Sequence, residues 1–213
     1  MRHIGITFGL LALSFPVLGD SFARMHFVLQ NHEALPYVDE RYAQHPMLTL
    51  LHLLPGVAFF LIGPMQFNPV VRRRILLHRI AGQVFVASGV VSSLGVMAMV
   101  LVFPALGGWL TISVTWGICL AMMRAMFLAI QAIRHRNLDR HELLMRVAFS
   151  LGLSVSTARI YITGAEVLFG LSFVDSFAFA SALGVWTNLA VLACLERQTI
   201  RRQLRALMIS WLA

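Results

Sequence analysis

His52, Arg159 and Glu166 are among the ionisable residues that lie inside long apolar stretches, and ionisable side chains within a membrane usually line a pathway or a binding site. Glu166 follows Arg159 by two helical turns, so both side chains lie on nearly the same face of a helix. His52 closely precedes Pro55, and a helical proline frees a carbonyl in the preceding turn. We therefore expect His52, Arg159 and Glu166 to form one polar cluster within the membrane. The alternatives are a structural ion pair and a histidine that bonds a freed carbonyl or a neighbouring helix.

A second set of residues, His78, Arg79, His141 and Arg146, lies at the starts of two other apolar stretches. A b-type haem in a helical bundle needs two axial nitrogens from facing helices at one depth. His78 and His141 meet this depth requirement, and Arg79 and Arg146 suit haem propionates or a phospholipid headgroup. The alternative is that both histidines are hydrogen-bond donors at the membrane interface.

Other site chemistries have no support in the sequence. It contains no Cys-x-x-Cys pair, no zinc-protease helix motif, no paired acids within an apolar stretch, no phosphate-binding loop and no nucleophile elbow. We therefore predict no metal site, and the sequence identifies no catalytic residue.

The composition places these residues in a membrane protein. Of the 213 residues, 59% are hydrophobic and 12% are charged, whereas a soluble domain carries about 25% charged residues. This composition excludes an ordinary soluble globule, and it also excludes disorder, which needs low hydrophobicity and high charge. The net charge is +8, but the basic residues lie mostly in short runs between apolar stretches, so we expect no nucleic-acid partner.

Six apolar segments approach the length of about 20 residues that spans a bilayer, the first of them marginally. They cover residues 4–19, 47–67, 80–104, 109–133, 143–169 and 173–195, with short connections except for 20–46. We therefore predict an all-α fold in which residues 1–199 form a single bundle of six transmembrane helices. The first segment also resembles a signal peptide, and its cleavage would leave five spans.

Arginine placement predicts the orientation of the bundle. Runs of arginine follow the second, fourth and sixth segments, whereas the opposite side holds only Arg24 and Arg41. Because cytoplasmic loops carry the excess of basic residues, both termini should be cytoplasmic.

Residues 200–213 combine apolar positions at helical spacing with arginines opposite them. This pattern predicts an amphipathic cytoplasmic tail that lies on the inner leaflet or packs on its own bundle.

Short motifs follow one another in a specific order over about residues 43–165. They are His45-Pro46 with His52, Pro55-Gly56, Gly63-Pro64-x-Gln66-Phe67, Arg72 to Arg74, Leu77-His78-Arg79-x-x-Gly82, His141-x-x-x-Met145-Arg146 and Arg159. This order resembles a bacterial membrane family catalogued as domain of unknown function 2306. The resemblance implies a multi-span helical protein of the bacterial inner membrane whose motif residues include His52, His78, His141 and Arg159. It brings no assigned activity, and the sequence departs from the family pattern at residues 142–144.

Three functions are compatible with these residues, and all of them require the lipid bilayer as a partner. An accessory subunit that binds another membrane protein fits best, because the spans contain few polar residues, and enzymatic activity is not favoured. The first alternative is a b-type haem redox module with His78 and His141 as ligands, which exchanges electrons with a quinone. The second is a carrier for a small solute or a proton that uses His52, Arg159 and Glu166.

Overall fold

The computed structural model describes residues 2–30, 37–103 and 107–201. Within these ranges the chain forms eight α-helices and no strand. They are α1 (Arg2–Gln30), α2 (Tyr37–Gln44), α3 (Pro46–Gln66), α4 (Pro69–Arg73), α5 (Ile75–Val102), α6 (Gly108–Arg134), α7 (Leu138–Phe169) and α8 (Phe173–Leu195). The prediction of an all-α fold is confirmed. The predicted tail helix at 200–213 lies almost wholly outside the described residues.

Five of the described helices, α3, α5, α6, α7 and α8, are long and apolar enough to cross a membrane. They correspond to five of the six predicted segments, which confirms the multi-span helical character. α5 and α7 begin earlier than predicted, because the apolar pattern used for the prediction does not include the polar residues at helix starts. At the start of α7, for example, the Asn137 side chain accepts a hydrogen bond from the Arg140 backbone N–H, as an N-cap does.

α1 contains the first predicted segment and is not among these five helices. It continues to Gln30, so the predicted loop after residue 19 is wrong for residues 20–30. Asp20 and Arg24 lie one helical turn apart with a side-chain separation of 3.9 Å. Met25 and Val28 are buried in the same stretch. Charged residues at helical spacing therefore extend a helix that the apolar pattern alone ends too early.

Stacked phenylalanine rings fill the centre of the bundle. Phe59 of α3 and Phe85 of α5 stack with their ring centroids 4.6 Å apart, and Phe149 of α7 lies 5.7 Å from Phe59. Glycines make room for these rings, since a Cβ at Gly152 would lie 2.6 Å from Phe59 and one at Gly63 would overlap the Phe149 ring. Below, the phenylalanine cluster means Phe59, Phe60, Phe85 and Phe149.

Small and polar residues join α7 to α8. A Cβ at Gly184 would lie 2.6 Å from the Ser154 carbonyl oxygen, so the two backbones approach closely. Thr157 donates a hydrogen bond to Asn188 at 3.0 Å, and the Tyr161 and Thr187 hydroxyls are 2.8 Å apart. Small residues and interhelical hydrogen bonds of this kind hold helices together in lipid.

Candidate functional site

His52 of α3 is fixed by three contacts with Ser92 of α5. Its Nδ1 lies 2.9 Å from the Ser92 carbonyl oxygen and 3.0 Å from the Ser92 hydroxyl, and that hydroxyl donates to the His52 carbonyl at 2.9 Å. Because a carbonyl can only accept, Nδ1 carries the proton, which leaves Nε2 with the lone pair of the neutral ring. The two helices come this close at Gly95, where a Cβ would lie 3.0 Å from the His52 Cα. His52 therefore bonds a neighbouring helix through one nitrogen and keeps the other for a further partner.

A cavity of about 180 Å³ opens beside His52, at the end of the bundle opposite the arginine runs. Residues from α1, α2, α3, α5, α6, α7 and α8 line it. Its polar and ionisable lining residues are Ser21, Arg24, Arg41, Tyr42, His52, Thr111, Thr115, Cys119, Arg159 and Ser181. A second cavity of about 100 Å³ shares His52 and Cys119 with the first and extends to Phe59 and Phe60. Together they lead from one end of the bundle to the phenylalanine cluster.

Arg159 lies on the wall of the larger cavity and pairs with Asp20 of α1. The distance between Nη1 of Arg159 and Oδ2 of Asp20 is 2.9 Å, and the guanidinium also lies 5.8 Å from the centre of the Phe173 ring. Glu166, the partner considered from the sequence, is exposed and is not among the residues that line the cavity. The structure thus brings His52 and Arg159 to one cavity and supplies the carboxylate from α1.

Asp20 was missed because the apolar pattern assigns it to a loop. The signal that could have identified it is its spacing to Arg24, since an acidic residue four positions before a basic one supports a helix. A helix that continues past Asp20 carries this carboxylate into the bundle, where Arg159 needs a partner.

Thr111 is a further polar residue on the cavity wall that sequence reasoning did not single out. It is only 6% exposed, and within the described part of the chain its hydroxyl makes no hydrogen bond. Buried hydroxyls usually have a partner, so this oxygen is an exception among the described residues, and it lies against Gly107. One threonine in an apolar stretch carries no sequence signal that separates it from a packing residue.

His78 and His141 lie at the arginine-rich end of the bundle, within electrostatic range of one another. Nδ1 of His141 lies 2.9 Å from the Ala129 carbonyl oxygen, so Nδ1 carries the proton and Nε2 keeps its lone pair. Nδ1 of His78 is buried and makes no hydrogen bond with the described residues. Nδ1 of His78 is thus without a hydrogen-bond partner among the described residues, whereas His141 is oriented by its bond to Ala129.

The two arginines beside these histidines differ in their surroundings. Arg79 is exposed, whereas Arg146 forms ion pairs with Glu142 and with Glu196 at the end of α8. Glu142 also receives a bidentate hydrogen bond from Arg72, with both distances at 2.7 Å. This bond to Glu142 is the main cause that raises the pKa of Arg72. The network joins the segment before α5 to α7 and α8.

Gln66 lies among the motif residues at the same end. It is 6% exposed, its Nε2 makes no hydrogen bond with the described residues, and a Cβ at Gly82 would lie 3.4 Å from its Oε1. Gly82 follows His78 by one helical turn. Gln66, His78 and Gly82 therefore belong to one region, which also contains the start of α7.

Comparison with known proteins identifies a family for this chain but assigns it no activity. The family model for DUF2306, described as a predicted membrane protein, matches residues 49–195. No curated protein and no solved structure matches the chain. The matched region covers more than half of the chain and includes His52, His78, His141 and Arg159. The chain therefore belongs to the DUF2306 family of predicted membrane proteins.

Proposed function

We propose that this protein is a membrane carrier for a small solute and that its substrate site is the cavity lined by His52 and Arg159. The observation that carries the proposal is the cavity itself, which combines apolar walls with a histidine and arginines. Ligand sites are typically concave, mostly apolar and furnished with a few polar groups. Ionisable residues inside a membrane bundle are costly and are retained mainly where they line a pathway.

The shape of the cavity supports a carrier with one side closed. The larger cavity reaches residues at the ends of α5, α6 and α8, and the smaller one ends at Phe59 and Phe60. From there the phenylalanine cluster continues towards the arginine-rich end, since Phe149 lies 5.5 Å from Phe67, directly after α3. A site that is open to one side and closed by packed side chains on the other is one half of an alternating-access cycle.

Cys119 provides the test, because it lies on the walls of both cavities. Its Cα is about 17 Å along α6 from Gly108 at 1.5 Å per residue, so a polar reagent reaches it only through an open path. The other cysteine of the chain, Cys194, is exposed and is removed by Cys194→Ser. In sealed vesicles, a membrane-impermeant thiosulfonate should then label Cys119 from either side, since a carrier opens its site alternately.

The matched control is the double variant Cys119→Ser, Cys194→Ser, which should take up no label. Labelling of Cys119 from one side alone contradicts a carrier and leaves a pocket with a single entrance. No labelling from either side contradicts both a carrier and an open pocket.

We further propose that α1 is a sixth span and that both chain ends lie on the cytoplasmic side of a bacterial inner membrane. The contact between Thr7 and Asn68, 3.1 Å apart, supports an α1 that runs alongside α3 with its start near the arginine-rich end. The excess of arginine at that end supports the cytoplasmic assignment. Reporter fusions after residue 30 and after residue 201 test it, since they should report opposite sides.

A b-type haem bound by His78 and His141 is the second candidate function. The observation that favours it is the His141 bond to Ala129, because metal-binding histidines usually donate their other N–H to a carbonyl or carboxylate. Of the two arginines considered for the propionates, Arg79 is exposed and available for them, while Arg146 is held by carboxylates. Such a haem would exchange electrons with a quinone in the bilayer.

An absorption spectrum of the purified protein, oxidised and then reduced, tests the haem. A Soret band with a reduced α-band should disappear in His78→Ala and in His141→Ala and persist in His52→Ala. A featureless spectrum after expression with added haem contradicts this candidate, as does haem that survives loss of both histidines.

An accessory role, in which the chain binds another membrane subunit and transports nothing, stays a prediction from the sequence. Its support is the low number of polar residues within the spans. Co-purification of one stoichiometric membrane partner in mild detergent, together with one-sided labelling of Cys119, would favour it over the carrier.

A further inference from the structure

We infer that the bundle contains two rigid units that move against one another, and that the bond between Arg72 and Glu142 is the gate that closes the cavity at the arginine-rich end. The first unit is α3 to α5 and the second is α6 to α8, while α1 contacts both. The inference rests on the proposed function, because it names the movement that opens the same cavity to its second side. Two kinds of contact lead to it, namely backbone contacts within each unit and side-chain contacts between the units.

Within each unit, a glycine brings two backbones into contact. A Cβ at Gly95 of α5 would lie 3.0 Å from the His52 Cα of α3, and one at Gly184 of α8 would lie 2.6 Å from the Ser154 carbonyl oxygen of α7. Interhelical hydrogen bonds add to both contacts. Among the described helices, α3 packs most extensively on α5, and α7 packs most extensively on α6 and α8. Because backbone atoms cannot change rotamer as side chains do, each unit should move as one body.

Between the units, glycines face side chains instead. A Cβ at Gly152 of α7 would lie 2.6 Å from the Phe59 ring of α3, and one at Gly89 of α5 would lie 2.6 Å from the Met126 Cε of α6. Methionine side chains adapt easily to irregular surroundings. A boundary of rings and methionines seated on glycines therefore permits the small sliding of packed helices that a shear movement needs.

The two ends of this boundary differ. At one end it widens into the larger cavity, whose wall combines His52 of the first unit with Val155 and Phe177 of the second. At the arginine-rich end, Nη1 and Nη2 of Arg72, on α4, both donate to the Glu142 carboxylate of α7 at 2.7 Å. This bond joins the two units on the side away from the open cavity, where a carrier needs its second gate.

The surroundings of the Arg72–Glu142 bond suit a contact that opens. The two side chains are 40% and 28% exposed, so water can take over their hydrogen bonds when the units separate. Glu142 then keeps its second partner, Arg146, one turn further along α7, and Arg146 keeps Glu196 at the end of α8. The carboxylates of the second unit thus stay paired in both states, and opening releases only Arg72.

The test measures how fast Cys119 is labelled from each side of sealed vesicles, using the full chain with Cys194→Ser and the membrane-impermeant thiosulfonate. Arg72→Gln removes the charged bond between the units and leaves the pairs within the second unit intact. It should raise the labelling rate from the arginine-rich side about threefold, the size expected for one partly exposed ion pair. The rate from the other side should fall, because the two open states compete for one population.

Arg73→Gln is the matched control, since Arg73 is the next residue of α4 and is exposed. It removes the same charge from the same surface, so it also controls for attraction between arginine and the reagent, and it should change neither rate. Arg72→Lys keeps a cation that can pair with Glu142 and should give rates between those of Arg72→Gln and the unmodified residue. This variant keeps the test valid if Arg72→Gln fails to fold.

The outcomes separate the gate from the proposed function. If Cys119 is labelled from both sides but Arg72→Gln and Arg73→Gln give the same rates, the gate assignment is wrong and the carrier stands. If Cys119 is labelled from one side alone, both with Arg72 present and in Arg72→Gln, both proposals fail.

Discussion

Arg159 of α7 forms an ion pair with Asp20 of α1 at 2.9 Å. The same carboxylate oxygen lies 3.9 Å from Arg24, one turn further along α1. An arginine within a helical bundle needs a carboxylate, water or a polar neighbour, and here the carboxylate comes from the first helix of the chain. This pair links α1 to the cavity wall, so α1 forms part of the site.

Replacing Asp20 should therefore lower the stability of the bundle, whereas replacing Glu166 should not. We expect Asp20→Asn to lower the free energy of unfolding by up to about 1 kcal/mol, a modest value because the Asp20 side chain is 41% exposed. Glu166→Gln is the matched control, since Glu166 is exposed and outside the cavity. Thermal unfolding in detergent measures both variants, and a larger loss for Glu166→Gln would show that the pair is misassigned.

The sequence predicted the spans well because a helix that faces lipid needs an apolar surface. That surface appears in the sequence of each of these helices as a long apolar run. α3, α6 and α8 begin and end within two residues of the predicted segments. The start of α7 was missed because its cap, Asn137, and the first-turn residue Asp139 are polar and lie outside the apolar run. α1 was predicted to end too early for a similar reason. Its second half mixes charged residues with buried apolar ones, so no continuous apolar run marks it as part of the helix.

The cavity could be predicted only in part. His52 and Arg159 were singled out because charge is unfavourable in lipid, and the structure brings both to one wall. Asp20 and Thr111 were missed because their roles depend on which helices are neighbours. The Arg72–Glu142–Arg146–Glu196 network was missed for the same reason, since it joins three separate segments. Composition and periodicity define single helices, whereas contacts between helices require the tertiary structure.

Gly184 provides a test of the α7–α8 contact. A Cβ at this position would lie 2.6 Å from the Ser154 carbonyl oxygen, and backbone atoms cannot move aside as a flexible side chain can. Gly184→Ala should therefore destabilise the bundle by about 1–3 kcal/mol. Gly164→Ala, on α7, meets no atom within 4 Å and should be neutral or slightly stabilising, because alanine favours a helix. Equal effects of the two variants on thermal unfolding would contradict the close backbone contact.

His52→Asn separates the structural role of the histidine from a role in ligand binding. The asparagine amide N–H can replace Nδ1 as the donor to the Ser92 carbonyl, a bond now 2.9 Å long, but it offers nothing in place of Nε2. We expect His52→Asn to keep nearly normal stability and His52→Ala to lose about 1 kcal/mol. If Nε2 belongs to the substrate site, both variants should change the rate at which Cys119 is labelled in vesicles. An unchanged labelling rate in His52→Asn would show that His52 only joins α3 to α5.

The network at the arginine-rich end depends on Glu142, which pairs with both Arg72 and Arg146. Glu142→Gln removes the shared carboxylate and leaves two guanidinium groups near one another, so we expect a loss of about 1–2 kcal/mol at low salt. Asp139→Asn, in the first turn of α7, should cost less than about 1 kcal/mol, because it removes only a favourable interaction with the helix dipole. Added salt should reduce the difference between Glu142→Gln and the unmodified protein, since it screens partly exposed charges. A difference that does not change with salt would indicate that Glu142 acts through packing instead of charge.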